Sequence, residues 1–189
     1  MLLTDTTAAL RLLVRSVLDD DERDLAGAPQ SVMAAAGQGP AGVGLFLHRV
    51  EEQPRGVAGE PRSVRDTAGR VVAWQAPPRT FRLSYLVWAW SPDDGDGEYD
   101  LLSKLLDLFA AHECLPQWAL SGCLETGRPN RLAAAQADAP HLGALWSAAG
   151  LGPRTAFEVT VTVDLVPAPR PATDRLVDVV DLRTSGRPR

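Results

Sequence analysis

Apolar and polar positions repeat with two different periods along this chain, and each change of period marks an element. Leu10, Leu13, Val14, Val17 and Leu18 recur at i, i+3, i+4, i+7 and i+8, with Arg11, Arg15 and Asp19 off the stripe. That spacing predicts an N-terminal helix, with capping candidates at residues 4–7. An extended segment is expected at 31–34, and the short apolar run GVGLFLHRV at 42–50, ended by EEQP, predicts a strand. Residues 51–70, polar and interrupted by Pro54, Gly56, Gly59, Pro61 and Gly69, read as a long β-connection with a hairpin at DTAGR.

The run RTFRLSYLVWAWS at 79–91 places Phe81, Leu83, Tyr85, Val87 and Ala89 on one face. The other face carries Arg82, Ser84, Leu86, Trp88 and Trp90, turning apolar halfway. This predicts a central strand whose later half is covered on both sides, or whose tryptophan pair meets a partner. Residues 98–112 predict a helix with a stripe of Tyr99, Leu102, Leu105, Leu106 and Phe109, and with Asp96 or Glu98 near its positive end. Residues 113–137 read as irregular. Asp138 as N-cap, Pro140, Leu142, Leu145, Trp146 and Ala149, closed by Gly150, define another helix. Phe157, Val159, Val161, Val163 and Leu165 then alternate with Glu158, Thr160, Thr162 and Asp164 in a strand that ends before Pro167.

The irregular interleaving of these elements argues for an α+β fold. Its centre would be a mixed, largely antiparallel sheet flanked by about three helices. The expected body is 1–167, and 168–189 reads as a Pro-rich linker with a C-terminal arm. In that arm Leu176, Val177, Val179, Val180 and Leu182 form a β-prone run with no local core, suited to pairing with another sheet edge.

Composition narrows the function classes. The chain has 189 residues, 45% hydrophobic and 23% charged, ordinary values for a single self-sufficient core. No apolar run approaches the roughly 20 residues of a bilayer span, and the N-terminus lacks a signal-peptide pattern, so a cytoplasmic chain is expected. Cys114 and Cys123 cannot build a disulfide framework. A net charge of −5 speaks against a nucleic-acid partner. The 18 arginines beside the single Lys104 reflect coding bias more than function.

Motifs for chemistry fail on context. Gly37, Gly39 and Gly42 match G-x-G-x-x-G, but Pro40 lies inside it and a strand-like run follows, so it reads as a loop. In DDGDGE at 93–98, counting from Asp94 puts Tyr99 where a calcium loop needs Gly and Leu105 where it needs Glu. His112, Cys114, Cys123 and His141 lack zinc-ligand spacing. His48, beside Phe46, reads as a packed or interface residue. No cofactor, metal or catalytic residue is predicted, and the chain reads as a non-enzyme.

Taken in order, the N-terminal helix, GVGLFLHRV, PPRTFRLSYLVWAWS leading into EYDLLSKLLDLFAAHECLP, and LGALWSAAGLGPRTAFEVTVTVDLVP carry a family resemblance over residues 2–167. The chain resembles the tail-terminator, or cap, proteins of contractile injection systems, which are phage-tail-like particles. It departs from them in having His48 and Arg49 where a Tyr often follows the Leu, and Trp88 and Trp90 in a strand that is usually less aromatic. The resemblance implies an α+β fold and a non-enzymatic homo-hexameric ring. That ring would sit on the distal end of inner tube and sheath and halt their polymerisation, with sheath, tube and further copies of the chain as partners. Trp88, Trp90 and the five apolar residues of the arm are the candidate assembly contacts. The alternatives are another tail-completion or neck subunit, or a small cytoplasmic enzyme.

Overall fold

One short apolar run and two alternating runs of the sequence become the three long strands of one sheet. The computed structural model describes residues 1–36, 39–54, 59–92, 96–125, 129–135, 139–148 and 150–172. In chain order its elements are α1 (Leu2–Arg15), β1 (Arg23–Ala26), α2 (Pro29–Ala36), β2 (Gly42–Gln53), β3 (Arg62–Arg65), β4 (Val71–Gln75) and β5 (Arg79–Trp90). They continue with α3 (Asp96–Ala110), β6 (Arg131–Ala135), α4 (Ala139–Ala148), β7 (Ala156–Leu165) and β8 (Arg170–Pro171). Two units share the chain: Met1–Val57 with Pro78–Val166, and Ala58–Pro77 with the chain from Pro167 onward.

The first unit carries a five-stranded sheet in the order β1-β2-β5-β7-β6. β1 runs parallel to β2 and the other pairings are antiparallel, so the fold is α+β around a mixed, largely antiparallel sheet. One face holds Val43, Leu45, Leu83, Tyr85, Val87, Val159, Val161 and Val163, buried against Leu10 and Leu13 of α1 and Leu101, Leu105 and Phe109 of α3. The opposite face is apolar only at one end, where Leu86, Trp88 and Trp90 pack with Val32 of α2 and Trp146 of α4. The later half of β5 is therefore buried on both faces, as its alternation predicted.

α4 stops as its sequence indicates. Gly150, at φ +66°, lets its own N–H reach the Ser147 carbonyl while Leu151 N–H reaches Trp146, the paired bonds of a Schellman ending. The predicted N-cap Asp138 lies outside the described residues. In α3, Asp96 and Glu98 occupy the first turn, where the helix dipole favours acids.

Several expectations change. Residues 31–34 are helical, not extended: Pro29 presets the first turn and the 28–32 hydrogen bond starts a helix rich in alanine. The threonines proposed as caps lie inside α1, where the Thr6 and Thr7 hydroxyls donate to the carbonyls of Leu2 and Leu3. Val17 and Leu18 fall beyond the end of α1. On α3 the buried set is Leu101, Leu102, Leu105, Leu108 and Phe109, and Tyr99 and Leu106 are exposed. The stretch 113–137 contains strand β6, and β1 is a strand for which no pattern was read.

The second unit, among its described residues, is a three-stranded sheet in the order β3-β4-β8. Its hairpin turns at 66–70, where Asp66 Oδ1 accepts the N–H groups of Ala68 and Arg70, each at 2.9 Å. This places the turn at the DTAGR segment, followed by a strand, Val71–Gln75, that the sequence reading did not assign. β8 extends the sheet antiparallel to β4, so residues 170–171 of the proposed linker are paired.

Candidate assembly surfaces

The tryptophan pair sits where β2 has no side chains. Gly42 pairs with Trp90 and Gly44 with Trp88 across the β2–β5 ladder. A Cβ on Gly44 would lie 2.2 Å from Trp88 Cε2 and Cζ2, and one on Gly42 would lie 2.5 Å from both Trp90 Cζ2 and the Arg23 carbonyl. Each indole thus lies across the neighbouring strand in a slot that only glycine leaves open, a cross-strand match of a bare backbone with a large ring. Trp88 is 0% exposed and Trp90 4%, and Trp146 meets Trp88 edge to face at 5.7 Å between centroids. Trp90 Nε1 donates to the Pro40 carbonyl at 3.0 Å. The Trp88 and Trp146 N–H groups are buried with no acceptor among the described residues. The structure therefore places Trp88 and Trp90 inside the fold, beneath α2 and α4.

The two edges of the large sheet are treated differently. At β1, Arg11 of α1 bonds the Asp24 carboxylate at 2.7 Å and the Asp24 carbonyl at 3.3 Å, and Arg15 donates to the carbonyls of Asp20 and Glu22. These guanidinium groups occupy main-chain acceptors that an incoming strand would use. At β6, the first half is closed by Leu115 N–H to Asn130 and Leu132 N–H to the Glu113 carbonyl. Past Leu132, the outward main-chain groups of β6 make no further main-chain bond among the described residues, and Ala133 and Ala134 are exposed.

Beyond the tryptophan wall the second face of the sheet is polar, with Arg82 and its other arginines exposed and the remaining polar side chains half-buried or buried. It carries Arg82, Thr160 and Thr162 in adjacent register, with Thr80 donating to Asp164 at 2.7 Å. His48 shares this face with Phe46 by alternation, and the β-bulge between Leu47 and Arg49 brings Arg49 onto it as well; His48 Nε2 lies 3.4 Å from Glu158 Oε2 and its side chain is 1% exposed. At the end of β2 and the start of β5, Arg79 Nε donates to Glu52 at 2.6 Å, holding the Glu52 carboxyl below its usual value. On the other side of the sheet Asp5 accepts the Cys123 main-chain N–H at 3.1 Å. That bond, reinforced by the Cys123 side chain and the terminal amine, lowers the Asp5 pKa to about 2.

The second unit offers a different surface. Val72 and Trp74 point to one face of β4 and are 46% and 49% exposed, and Ser63 of β3 and Arg170 of β8 are the register partners of Trp74. No described residue of this unit is buried. Sequence reading passed over this pair, although the alternation in VVAWQ directly after a turn is a strand signal.

The remaining chemical candidates stay apart. His112 Nδ1 contacts the Leu108 carbonyl at 2.9 Å, Cys114 and Cys123 are free thiols, and burial raises the Cys123 thiol pKa. Among the described residues no group of three His, Cys, Asp or Glu side chains could hold a metal, and no helix is long and apolar enough to cross a membrane. In the glycine-rich stretch α2 precedes and β2 begins at Gly42, the reverse of a dinucleotide fingerprint, and Gly37 lies outside the described residues. So do Asp94 of the acidic cluster and the arm residues Leu176, Val177, Val179, Val180 and Leu182.

Comparison with known proteins identifies the architecture. The family model of the Pvc16 N-terminal domain matches residues 5–178. Among solved structures the chain is similar to the PVC sheath/tube terminator, in the extended state, of an extracellular contractile injection system. That match has 18% identity and a TM-score of 0.64, covering 97% of this chain and 65% of the other. It is also similar to the tube-terminating cap of the anti-feeding prophage, at 14% identity and a TM-score of 0.63, over 96% of this chain and 61% of that one. The chain thus spans a little under two thirds of each of these terminators. No curated protein is significantly similar.

Proposed function

Because this chain belongs to the Pvc16 N-terminal domain family, a tail-terminator family of contractile injection systems, we propose that it is the cap of such a particle. It forms a ring of six copies on the distal end of inner tube and sheath, ends their polymerisation, and turns over no substrate. The observation that carries this reading is the family match over residues 5–178, with a fold shared with two terminators of such particles.

A terminator must bind the growing end better than the next subunit does and then present no equivalent end. Many modest contacts repeated by symmetry satisfy the first requirement, and no deep pocket is needed. The open half of the β6 edge, the polar sheet face and the exposed Tyr99 and Leu106 of α3 are surfaces of that kind. Residues 1–167 supply the body, and the arm within 168–189 pairs through Leu176, Val177, Val179, Val180 and Leu182 with a strand edge of a neighbouring copy or of the last sheath layer. Trp88 and Trp90 serve assembly by holding α2 and α4 on the sheet. The ring is assembled in the cytoplasm onto the particle.

The test is the length distribution of particles assembled without this chain, viewed by electron microscopy. Broad and elongated lengths are expected, and uniform lengths of the normal value overturn the proposal. For the arm, deletion of 173–189 is the informative truncation, because it leaves the β4–β8 pairing in place. It is expected to weaken ring formation.

A further inference from the structure

A three-stranded sheet with no buried residue is too small to stabilise itself by hydrophobic burial, yet β4 turns Val72 and Trp74 outward on one face. Arg170, the register partner of Trp74, is exposed beside it. Charge divides between the two units. Among the described residues of the second unit Arg62, Arg65, Arg70 and Arg170 stand against Glu60 and Asp66, a net of +2 in a chain whose total is −5.

The first unit contains a counterpart. An open cleft of about 480 Å³ is lined by Asp20, Asp21, Glu22, Asp24, Leu25 and Pro40, with Arg15 and Arg23. Arg15 is engaged by main-chain carbonyls, Asp24 is paired with Arg11 and Glu22 faces Lys104. The carboxylates of Asp20 and Asp21 are exposed with no counterion among the described residues. A basic aromatic face and an acidic cleft with apolar walls are therefore present on the same polypeptide as two distinct patches.

We propose that the Val72–Trp74–Arg170 face of one copy docks on the cleft at residues 20–24 of a second copy. Trp74 lies against Leu25 and Pro40, and Arg170 lies opposite Asp20 and Asp21. Two different patches that match each other make a head-to-tail contact, which repeats around an axis and closes into a ring when the rotation per copy allows it. The contact also covers the apolar face that the small sheet leaves open. The inference rests on the ring reading above and gives that ring its interface.

Two measurements test it on the full chain. In the first, Trp74→p-benzoylphenylalanine is incorporated, the protein is mixed in light and heavy isotope forms, assembled and irradiated. Cross-links from position 74 to residues 15–25 or to Pro40 of the other isotope form are expected. In the second, Arg170→Glu, and separately Asp20→Arg with Asp21→Arg, are compared by native mass spectrometry. Each is expected to weaken association at least about tenfold, and their combination to restore it, because like charges across an interface repel. All three positions are exposed, so unchanged thermal melting confirms that folding is intact. Cross-links within one copy or to any other surface, or charge reversals that weaken nothing, overturn this contact while leaving a ring in place. A wild-type chain that never assembles beyond a monomer overturns the ring reading itself.

Discussion

The glycine slot under Trp88 sets the sharpest demand on this sequence. In Gly44→Ala the new methyl carbon falls 2.2 Å from two ring atoms, whereas carbon–carbon contacts are favourable at about 3.5–4.0 Å, so the indole must retreat by roughly 1.4 Å. It has no room to do so, being fully buried and set edge-on against Trp146. Overpacking of this kind costs about 1–3 kcal/mol when the surroundings absorb it. If instead the ring swings out, about 150–250 Å² of aromatic surface returns to water, roughly 4–6 kcal/mol at 25 cal/mol per Å². Against either stands a gain of about 0.4–1 kcal/mol from restricting the unfolded chain. The cheaper response sets the net loss, which is expected to reach up to about 2.5 kcal/mol, measured as the shift in urea midpoint at constant slope. The decisive comparison is the double-mutant cycle. In a Trp88→Val background the slot is empty, and Gly44→Ala should cost less than about 0.5 kcal/mol there. An equal cost in both backgrounds refutes the steric account. Gly143→Ala serves as the control: an added Cβ there meets nothing within 4 Å, and replacing an exposed helical Gly should stabilise by roughly 0.5–1 kcal/mol.

Two further outcomes follow from the electrostatics. The Asp5 pKa is lowered from 3.8 to about 2, first by the Cys123 main-chain N–H, so its ionised form stabilises the fold fully above about pH 4 and that contribution disappears as pH falls through 2. Thermal melts between pH 5 and 2 should therefore fall more steeply for the wild type than for Asp5→Asn, and parallel curves refute this assignment. Arg11→Ala with Arg15→Ala frees the main-chain acceptors of β1 and its approach. Because exposed ion pairs contribute about 0–1 kcal/mol each, stability should change little while light scattering on heating rises; unchanged scattering shows that these arginines do not guard the edge.

The long elements can be read along the chain alone. β5 and β7 were legible because their two-residue alternation is long enough to assign a face to every side chain, β2 because it is a short apolar run, and α1, α3 and α4 because their stripes repeat over several turns. The chain also carried, in Gly42 and Gly44 against Trp88 and Trp90, an equal i, i+2 spacing whose meaning depends on register. Other elements take their form from packed neighbours that outweigh a weak local preference. RLAAA in β6 has little strand propensity and becomes a strand because β7 offers an unpaired edge. RDLA in β1 is extended because β2 pairs with it in parallel, whereas PQSVMAAA is helical through its own Pro29 start and alanines, with Val32 packed against the tryptophans. Tyr99 and Leu106 share a helical stripe with buried leucines, but the sheet is met by the adjacent face. The surfaces proposed for assembly depend most on structure, since an exposed apolar residue and a core residue look alike along a chain. Their difference lies in which other segments reach them, a long-range property that no local period encodes.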